Sequence, residues 1–324
     1  MSTAAPTAPP GAPAPSAEGS VAQAARDWWA GVRAGQLGSL PIIVGLIIIA
    51  IVFQSQNDRF LTAGNFVNLI VQSAAYTTIA MGIVFVLLLG EIDLSVGYVS
   101  GVAGVIATVL LIPDGNEVPT IVAVGLALGA GIAIGTLHGL IITKIGIPSF
   151  VVTLAGLIAW NGVVLLLIGS RGTVILQDDF LVGLANDFLP EATSWALLLL
   201  AILIFAGIQL NEVRVRRRAD LGHDSLAVIG LRVGFLALTL GVVVWVANED
   251  RGIPYLFLVV GFFLLLRGFV LGRTRFGRYV YAVGGNTEAA RRAGINVDRI
   301  KIAVFAICSF MAAVGGLVLA SRLR

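Results

Sequence analysis

Residues 272–301 read GRTRFGRYVYAVGGNTEAARRAGINVDRIK, thirty mostly polar residues set between two apolar runs. Asn286 is a good N-cap, Thr287 to Ala293 follow as helix, and Gly294 stands where a left-handed C-terminal cap is wanted. Ala289, Ala290 and Ala293 give this two-turn helix a small apolar face. Arg291 and Arg292 lie on other faces, and Glu288 sits favourably near the positive end of the helix dipole. A helix so short is marginal alone and has to be held by flanking spans or by a partner. Set in a basic loop between membrane spans, it offers a surface on which a soluble protein can dock, which points to a driven pore rather than a membrane enzyme.

Outward from this loop the chain is apolar. Of its 324 residues 58% are hydrophobic and 12% charged, a balance that a water-soluble domain of this length cannot arrange. Crossing about 30 Å of hydrocarbon takes about 20 apolar residues as a helix, because lipid offers no partner to a free N–H or C=O. Qualifying runs lie at 38–54, 66–89, 94–112, 120–143, 150–169, 194–210, 231–247, 253–271 and 302–320. The expectation is an all-α, polytopic transmembrane helical bundle of about nine spans over residues 37–324. A disordered Ala/Pro-rich cytoplasmic tail at 1–36 precedes it, and its first 25 residues carry no basic residue and no apolar run, against a cleavable signal peptide.

The net charge of +3 speaks of orientation and not of nucleic acid. With the N-terminus inside, the inner segments hold Arg26, Arg33, Lys144, Arg214, Arg216, Arg217, Arg218, Arg232, Arg273, Arg275, Arg278, Arg291, Arg292, Arg299 and Lys301, fifteen of the 21 basic residues, in keeping with the positive-inside rule. Arg267 falls near the inner end of a span and reads as reaching for the interface. The single cysteine, Cys308, excludes an intrachain disulfide, and with His138 and His223 isolated no metal site is expected. Two further polar segments, 170–193 with Asp178, Asp179, Asp187 and Glu191, and 211–230 with VRVRRR, serve equally as partner surfaces or as solvated connectors.

Within the spans, Gly131, Gly135 and Gly139 recur every fourth residue, preceded by Gly125 and Gly129, and Gly97 and Gly101 recur likewise. Small residues on one face let helix backbones approach, so these read as packing seams. The segment GEIDLSVG at 90–97 joins two spans and sets Glu91 and Asp93 at the membrane boundary. Asp93 can cap the helix that follows, its charge suiting the positive dipole end. Equally, a broken helix can turn Glu91, Asp93 and Ser95, with Gly97, toward a cavity, and both can hold together. His138, between Gly135 and Gly139, reads as a hydrogen-bonded packing residue.

GEIDLSVG at 90–97, IPSFVVTLAGLIAWNG at 147–162 and GRYVYAVGGNTEAARRAGINVDRIKIAVFAI at 277–307 resemble, in that order, the monosaccharide permeases of bacterial ABC importers. The extra basic segment and the 231–247 span, followed by DRGIP at 250–254, make the chain most similar to the xylose-type branch of that family, and the resemblance runs from about residue 40 to residue 323. It implies a multi-pass subunit of the bacterial inner membrane that transports a monosaccharide and performs no covalent chemistry. Its implied partners are a second permease copy, cytoplasmic ABC ATPase subunits, an extracytoplasmic sugar-binding protein and membrane lipid. Asn286, Glu288, Ala289, Ala290, Arg291 and Gly294 would then couple the chain to a groove of the ATPase. ATP and Mg²⁺ would belong to that partner, since this chain holds no cofactor and lacks a GxxxxGK[ST] sequence. Closure of the ATPase dimer would draw the docking helices together and reorient the spans.

A sugar path asks for uncharged hydrogen-bonding groups and an aromatic face. Gln72 and Ser73 in the second span and Trp160 and Asn161 in the fifth are candidates, although bonding at a helix interface explains Asn161 as well. Glu91 stands where the family usually has a second glycine, and His138 where an asparagine is common. Related permeases continue beyond Ser321, Arg322 and Leu323 through a glycine-rich segment and further spans, so a truncated C-terminus is expected. Two other readings stay open. One is an ion-coupled secondary transporter, for which only Glu91 and Asp93 offer deep charge, and the other is a nonfunctional truncated permease.

Overall fold

The computed structural model describes residues 18–19, 26, 29–35, 37–38, 40–113, 118–219, 221 and 223–323. The expected tail at 1–36 lies for the greater part outside them. In chain order the helices are α1 (Leu40–Gln56), α2 (Ala63–Leu88), α3 (Val96–Leu110), α4 (Thr120–Leu140, prolonged by a π-helical turn at Ile141–Ile145), α5 (Ser149–Ile168), α6 (Asp179–Asn186), α7 (Glu191–Arg218), α8 (Leu226–Asn248), α9 (Tyr255–Arg273), α10 (Arg275–Gly285), α11 (Thr287–Arg292) and α12 (Val297–Arg322). Pro119, Pro148, Pro190 and Pro254 stand immediately before α4, α5, α7 and α9. A residue without an N–H does least harm there, because the first N–H groups of a helix have no intrahelical acceptor.

All nine apolar runs are helical, but the count of about nine spans needs correcting. Among the described residues seven helices are long and apolar enough to cross a membrane: α2, α4, α5, α7, α8, α9 and α12. The other two, α1 and α3, hold 17 and 15 residues. At 1.5 Å per residue α3 extends only about 22 Å, because residues 91–94 ahead of it are not helical. Two polar stretches also differ from the reading. VRVRRR belongs to α7, where Arg216, Arg217 and Arg218 fill the last turn and suit its negative dipole end. The 170–193 segment contains α6, capped by Asp178, whose Oδ1 accepts from Leu181 N at 2.9 Å and whose Oδ2 accepts from Thr120 Oγ1 at 2.5 Å.

The chain forms two compact units. One comprises residues 1–66 and 190–252, with α1, α7 and α8. There α7 packs along α8, Ser225 caps α8 at Val228 N, and Arg232 pairs with Asp224 at 2.7 Å. Two-residue strands β1 (Glu18–Gly19) and β2 (His223–Asp224) run parallel. None of α1 is buried and α7 buries only Ser194 and Val213, which apolar helices tolerate when hydrocarbon is the solvent.

The other unit, residues 67–189 and 253–324, is built around α12, of whose 26 residues 15 are buried. The glycine stripe on α4 is the seam against it. A Cβ on Gly131 would stand 2.7 Å from Ala313 Cβ, one on Gly139 would stand 2.7 Å from Ile302 Cα, and one on Gly135 would run into the Phe305 carbonyl. Gly125 and Gly129 meet nothing within 4 Å. On α3 the seam lies elsewhere than at Gly97 and Gly101. Gly97 faces open space and Gly101 only a Val164 methyl, because α12 meets α3 at Ser100 and Gly104, where a Cβ on Gly104 would stand 3.1 Å from the Gly316 oxygen. Gly135→Val is therefore expected to destabilise the purified chain by about 1–3 kcal/mol through overpacking, read as a lower Tm in detergent, while Gly129→Val leaves Tm unchanged.

Candidate functional site

The break between α2 and α3 is the first element of the site. Gly90 turns the chain with φ at 74°, a left-handed value that suits glycine. Asp93 then accepts from Ser95 N at 2.9 Å and from Ser95 Oγ at 2.6 Å through Oδ1, an Asx turn leading into α3. Ser95, and not Asp93, occupies the N-cap position, and its side chain makes no capping bond. Asp93 is 6% exposed, its Oδ2 accepts no hydrogen bond among the described residues, and its carboxyl group has Cys308 for a neighbour.

From Ser95 a hydrogen-bonded chain runs through the helices. Ser95 Oγ lies 3.4 Å from His138 Nδ1, and Trp160 Nε1 donates to His138 Nε2 at 3.1 Å. An indole only donates, so Nε2 is the acceptor and the imidazole carries its proton on Nδ1. That Nδ1–H then donates to Ser95 Oγ, whose own proton goes to Asp93, and all four groups are served in one direction. His138 is 3% exposed, and Gly156 makes room for the ring, since a Cβ there would stand 2.7 Å from Nε2.

A second constellation gathers at the same break. The Glu91 carboxylate accepts from Ser149 Oγ at 2.6 Å and pairs with Lys301 Nζ. Ile92 is held on both sides by α5: its N–H donates to Ser149 Oγ at 3.3 Å and its carbonyl accepts from Thr153 Oγ1 at 3.2 Å. Lys144, in the π-helical turn, pairs with Asp298 at 2.7 Å. The break, the start of α5, the end of α4 and the start of α12 thus meet at one end of this unit. None of Ser149, Thr153 and Lys301 stands out in the sequence as a partner of the break, because the pairings join residues 57 to 210 positions apart and leave no local pattern.

The loop at 272–301 holds two helices rather than one. Thr274 caps α10 by accepting from Gly277 N at 3.1 Å. Phe276, Val280 and Val283 recur at helical spacing and pack inward, a phase that the sequence does show. Gly284 abuts the Leu88 carbonyl, so any Cβ there would clash with the last turn of α2. Asn286 caps α11 by accepting from Ala289 N at 2.9 Å. At the other end Gly294 N donates to the Arg291 carbonyl and Ile295 N to the Ala290 carbonyl, with Gly294 at φ 80°, a complete Schellman closure. Ala290 is buried at 4% exposure, in one core cluster with Val280, Val283, Val297 and Ile300, and so belongs to the inward side of α11. Asn286, Glu288, Ala289, Arg291, Arg292, Ala293 and Gly294 are exposed.

Gln72 and Asn161 are half-buried and make no side-chain hydrogen bond among the described residues, and Trp160 is committed to His138. An apolar groove of about 370 Å³ runs past His138 and Trp160, lined also by Leu137, Ile147, Val151 and Gly156. Arg267 is half-buried, and its Nε is buried without an acceptor among the described residues, beside a cavity of about 70 Å³ lined by Met81, Phe85 and Phe263. Among the described residues no group of three His, Cys, Asp or Glu side chains is placed to hold a metal ion.

Membrane-length apolar helices, one of them interrupted at a polar break, with a capped polar loop between two others, define an all-α polytopic membrane protein. The family described as branched-chain amino acid transport system / permease component matches residues 65–324, and the chain belongs to that permease family. It is 38% identical over 301 residues to the xylose transport system permease protein XylH of Escherichia coli (strain K12), covering 91% of this chain and 75% of that protein. It is 31% identical to XylH of Haemophilus influenzae, over 88% of this chain and 76% of that one. Identity to the ribose import permease protein RbsC of Escherichia coli (strain K12) is 27%, over 87% and 68% of the two chains. No solved structure matches.

Removing the indole donor tests the buried chain. Trp160→Phe leaves His138 Nε2 buried and unpaired, which is expected to cost about 1–3 kcal/mol. Asn161→Ala breaks no bond and is expected to stay within about 1 kcal/mol of the parent. Thermal unfolding of the two variants in detergent checks both.

Proposed function

We propose that this chain is the membrane-spanning permease subunit of an ATP-driven monosaccharide importer, with xylose or a related sugar as cargo. The observation that carries the reading is the 38% identity, over 91% of the chain, to a protein named as a xylose transport permease. The exposed, doubly capped α11 supports it, being a rigid polar protrusion between two membrane helices. In this reading the N-terminus and the 272–301 loop face the cytoplasm, in line with the charge distribution. Glu288, Ala289, Arg291 and Arg292 of α11 meet a separate ABC ATPase subunit that holds ATP and Mg²⁺. A second permease copy completes the pore, and an extracytoplasmic binding protein delivers the sugar. This chain contributes no covalent chemistry. It converts displacement of the loop into rearrangement of packed helices, a two-state change between close-packed arrangements.

Uptake of radiolabelled xylose in cells that lack their own permease but keep the partner subunits is expected to depend on this chain and to persist when a protonophore collapses the proton gradient. Uptake abolished by the protonophore with ATP intact would favour an ion-coupled carrier, and absence of uptake for xylose and other monosaccharides would sink the reading. Ala289→Glu puts a carboxylate into the proposed docking face, where an unpaired buried charge costs several kcal/mol. It is expected to lower sugar-stimulated ATP hydrolysis of the complex at least about tenfold, while membrane insertion is unchanged.

A further inference from the structure

The start of α12 follows the docking helix after a pause of four residues and carries Asp298, paired with Lys144 at the end of α4, and Lys301, paired with Glu91 in the break. The two ion pairs differ in weight. Lys144 and Asp298 are 59% and 35% exposed at their side chains, whereas Lys301 and Glu91 are 21% and 17% exposed. Attraction between charges rises as water is excluded, and an exposed pair contributes little. The Glu91–Lys301 pair is therefore the one that resists separation, because parting it strands two charges in a poorly solvated place.

What lies on either side of that pair gives it a direction. On the loop side, Lys301 sits on a turn fixed by Asn296, whose Oδ1 accepts from Arg299 N at 3.0 Å. That turn shares one apolar cluster with α10 and α11 through Val280, Val283, Ala290, Ile295, Val297 and Ile300. On the other side, Glu91 follows the left-handed Gly90, Ile92 is strapped to Ser149 and Thr153 of α5, and Asp93 opens the chain to Ser95, His138 and Trp160.

We infer that the Glu91–Lys301 ion pair is a transmission contact through which movement of the docking loop is passed to the α2–α3 break, and that Glu91 and Lys301 are positioning residues for transport. The inference rests on the permease reading above. When α10, α11 and the start of α12 shift together, Lys301 carries Glu91 with it. The backbone turns at Gly90, and the displacement reaches α5 through Ser149 and α4 through the Asp93-to-His138 chain. The same apolar cluster packs the loop against Phe85, Val86 and Leu89 at the end of α2, and the ion pair adds the charged link from that loop to the break itself.

The test uses the complete complex in proteoliposomes, with ATP hydrolysis and sugar uptake measured in the same vesicles. Glu91→Gln keeps an acceptor for Ser149 and the shape of the side chain, Lys301→Met keeps the stem, and Glu91→Lys with Lys301→Glu reverses the pair. Either single change is expected to leave ATP hydrolysis running and to lower the sugar moved per ATP about fivefold or more, within the range of measured coupling between sites. The reversed pair is expected to recover most of that loss, whereas a merely structural role would move Tm and leave the sugar moved per ATP at the parent ratio in every variant. Single variants with the parent ratio of sugar to ATP, or a reversed pair no better than the singles, would overturn the inference. Tm values of the same variants of the full chain in detergent give a cycle independent of transport. Non-additive Tm shifts are expected, and additive ones would show that the pair does not form. A parent complex whose ATP hydrolysis ignores every sugar tried would sink the permease reading itself and the transmission role with it.

Discussion

The close approach of α12 to α4 is the contact from which the larger unit is organised. Hydrocarbon gives apolar helices no reason to prefer one another over lipid, so association rests on short-range packing and on hydrogen bonds. Gly131, Gly135 and Gly139 supply the first by admitting Ala313, Phe305 and Ile302 nearly to backbone contact. Once α12 is pressed there, its opposite surfaces are free to receive α2 at Gly82 and α3 at Gly104, and its two ends are fixed. At one end Ser321 accepts from Ala185 N and holds α6, and at the other Asp298 and Lys301 meet Lys144 and Glu91.

Several hydroxyls along the regular helices are paired within their own helix. Thr78, Thr108 and Thr143 each return their hydroxyl to the carbonyl four residues earlier, which silences the side chain within its own helix, and Thr153 shares its hydroxyl between the Ser149 and Ile92 carbonyls. The break at residues 91–94 is the exception, where backbone groups leave the helical ladder. Irregular backbone survives at membrane depth only when other protein groups attend to it, and here Ser149 and Thr153 do so for Ile92 while Asp93 does so for Ser95. An aspartate beside Cys308 and linked through Ser95 to a histidine is thus part of how the break is held.

Much of this was legible in the sequence for a plain reason: a run of apolar residues long enough to span a membrane has only one way to satisfy its backbone. The caps of α11 were legible too, since Asn286 and Gly294 act through their own neighbours. Where the reading failed, the missing information was tertiary. Ala290 looked like part of an outward docking face, but in a six-residue helix the apolar side is the side the protein keeps, and Ile295 closes over it. The length of α3 depends on where Asp93 and Ser95 stop the helix, and the seam on α3 depends on where α12 crosses it. Helices α6 and α10 hide in polar segments whose apolar phase is short. The Glu91–Lys301 and Lys144–Asp298 pairs carry no sequence signal at all, since each side chain alone reads as an ordinary interfacial charge.

The π-helical turn at Ile141–Ile145 acts as a correction of phase. Gly139 touches α12 at Ile302 and Lys144 reaches the same helix at Asp298, yet the two are five residues apart. In an uninterrupted α-helix, at about 100° per residue, five residues advance the side chain to a point roughly 140° away from its start. A turn closed from residue i to i+5 stacks those positions instead. Were the same residues wound as an uninterrupted α-helix, the glycine seam and the ion pair would look in different directions, and α4 would have to give up one of its two holds on α12.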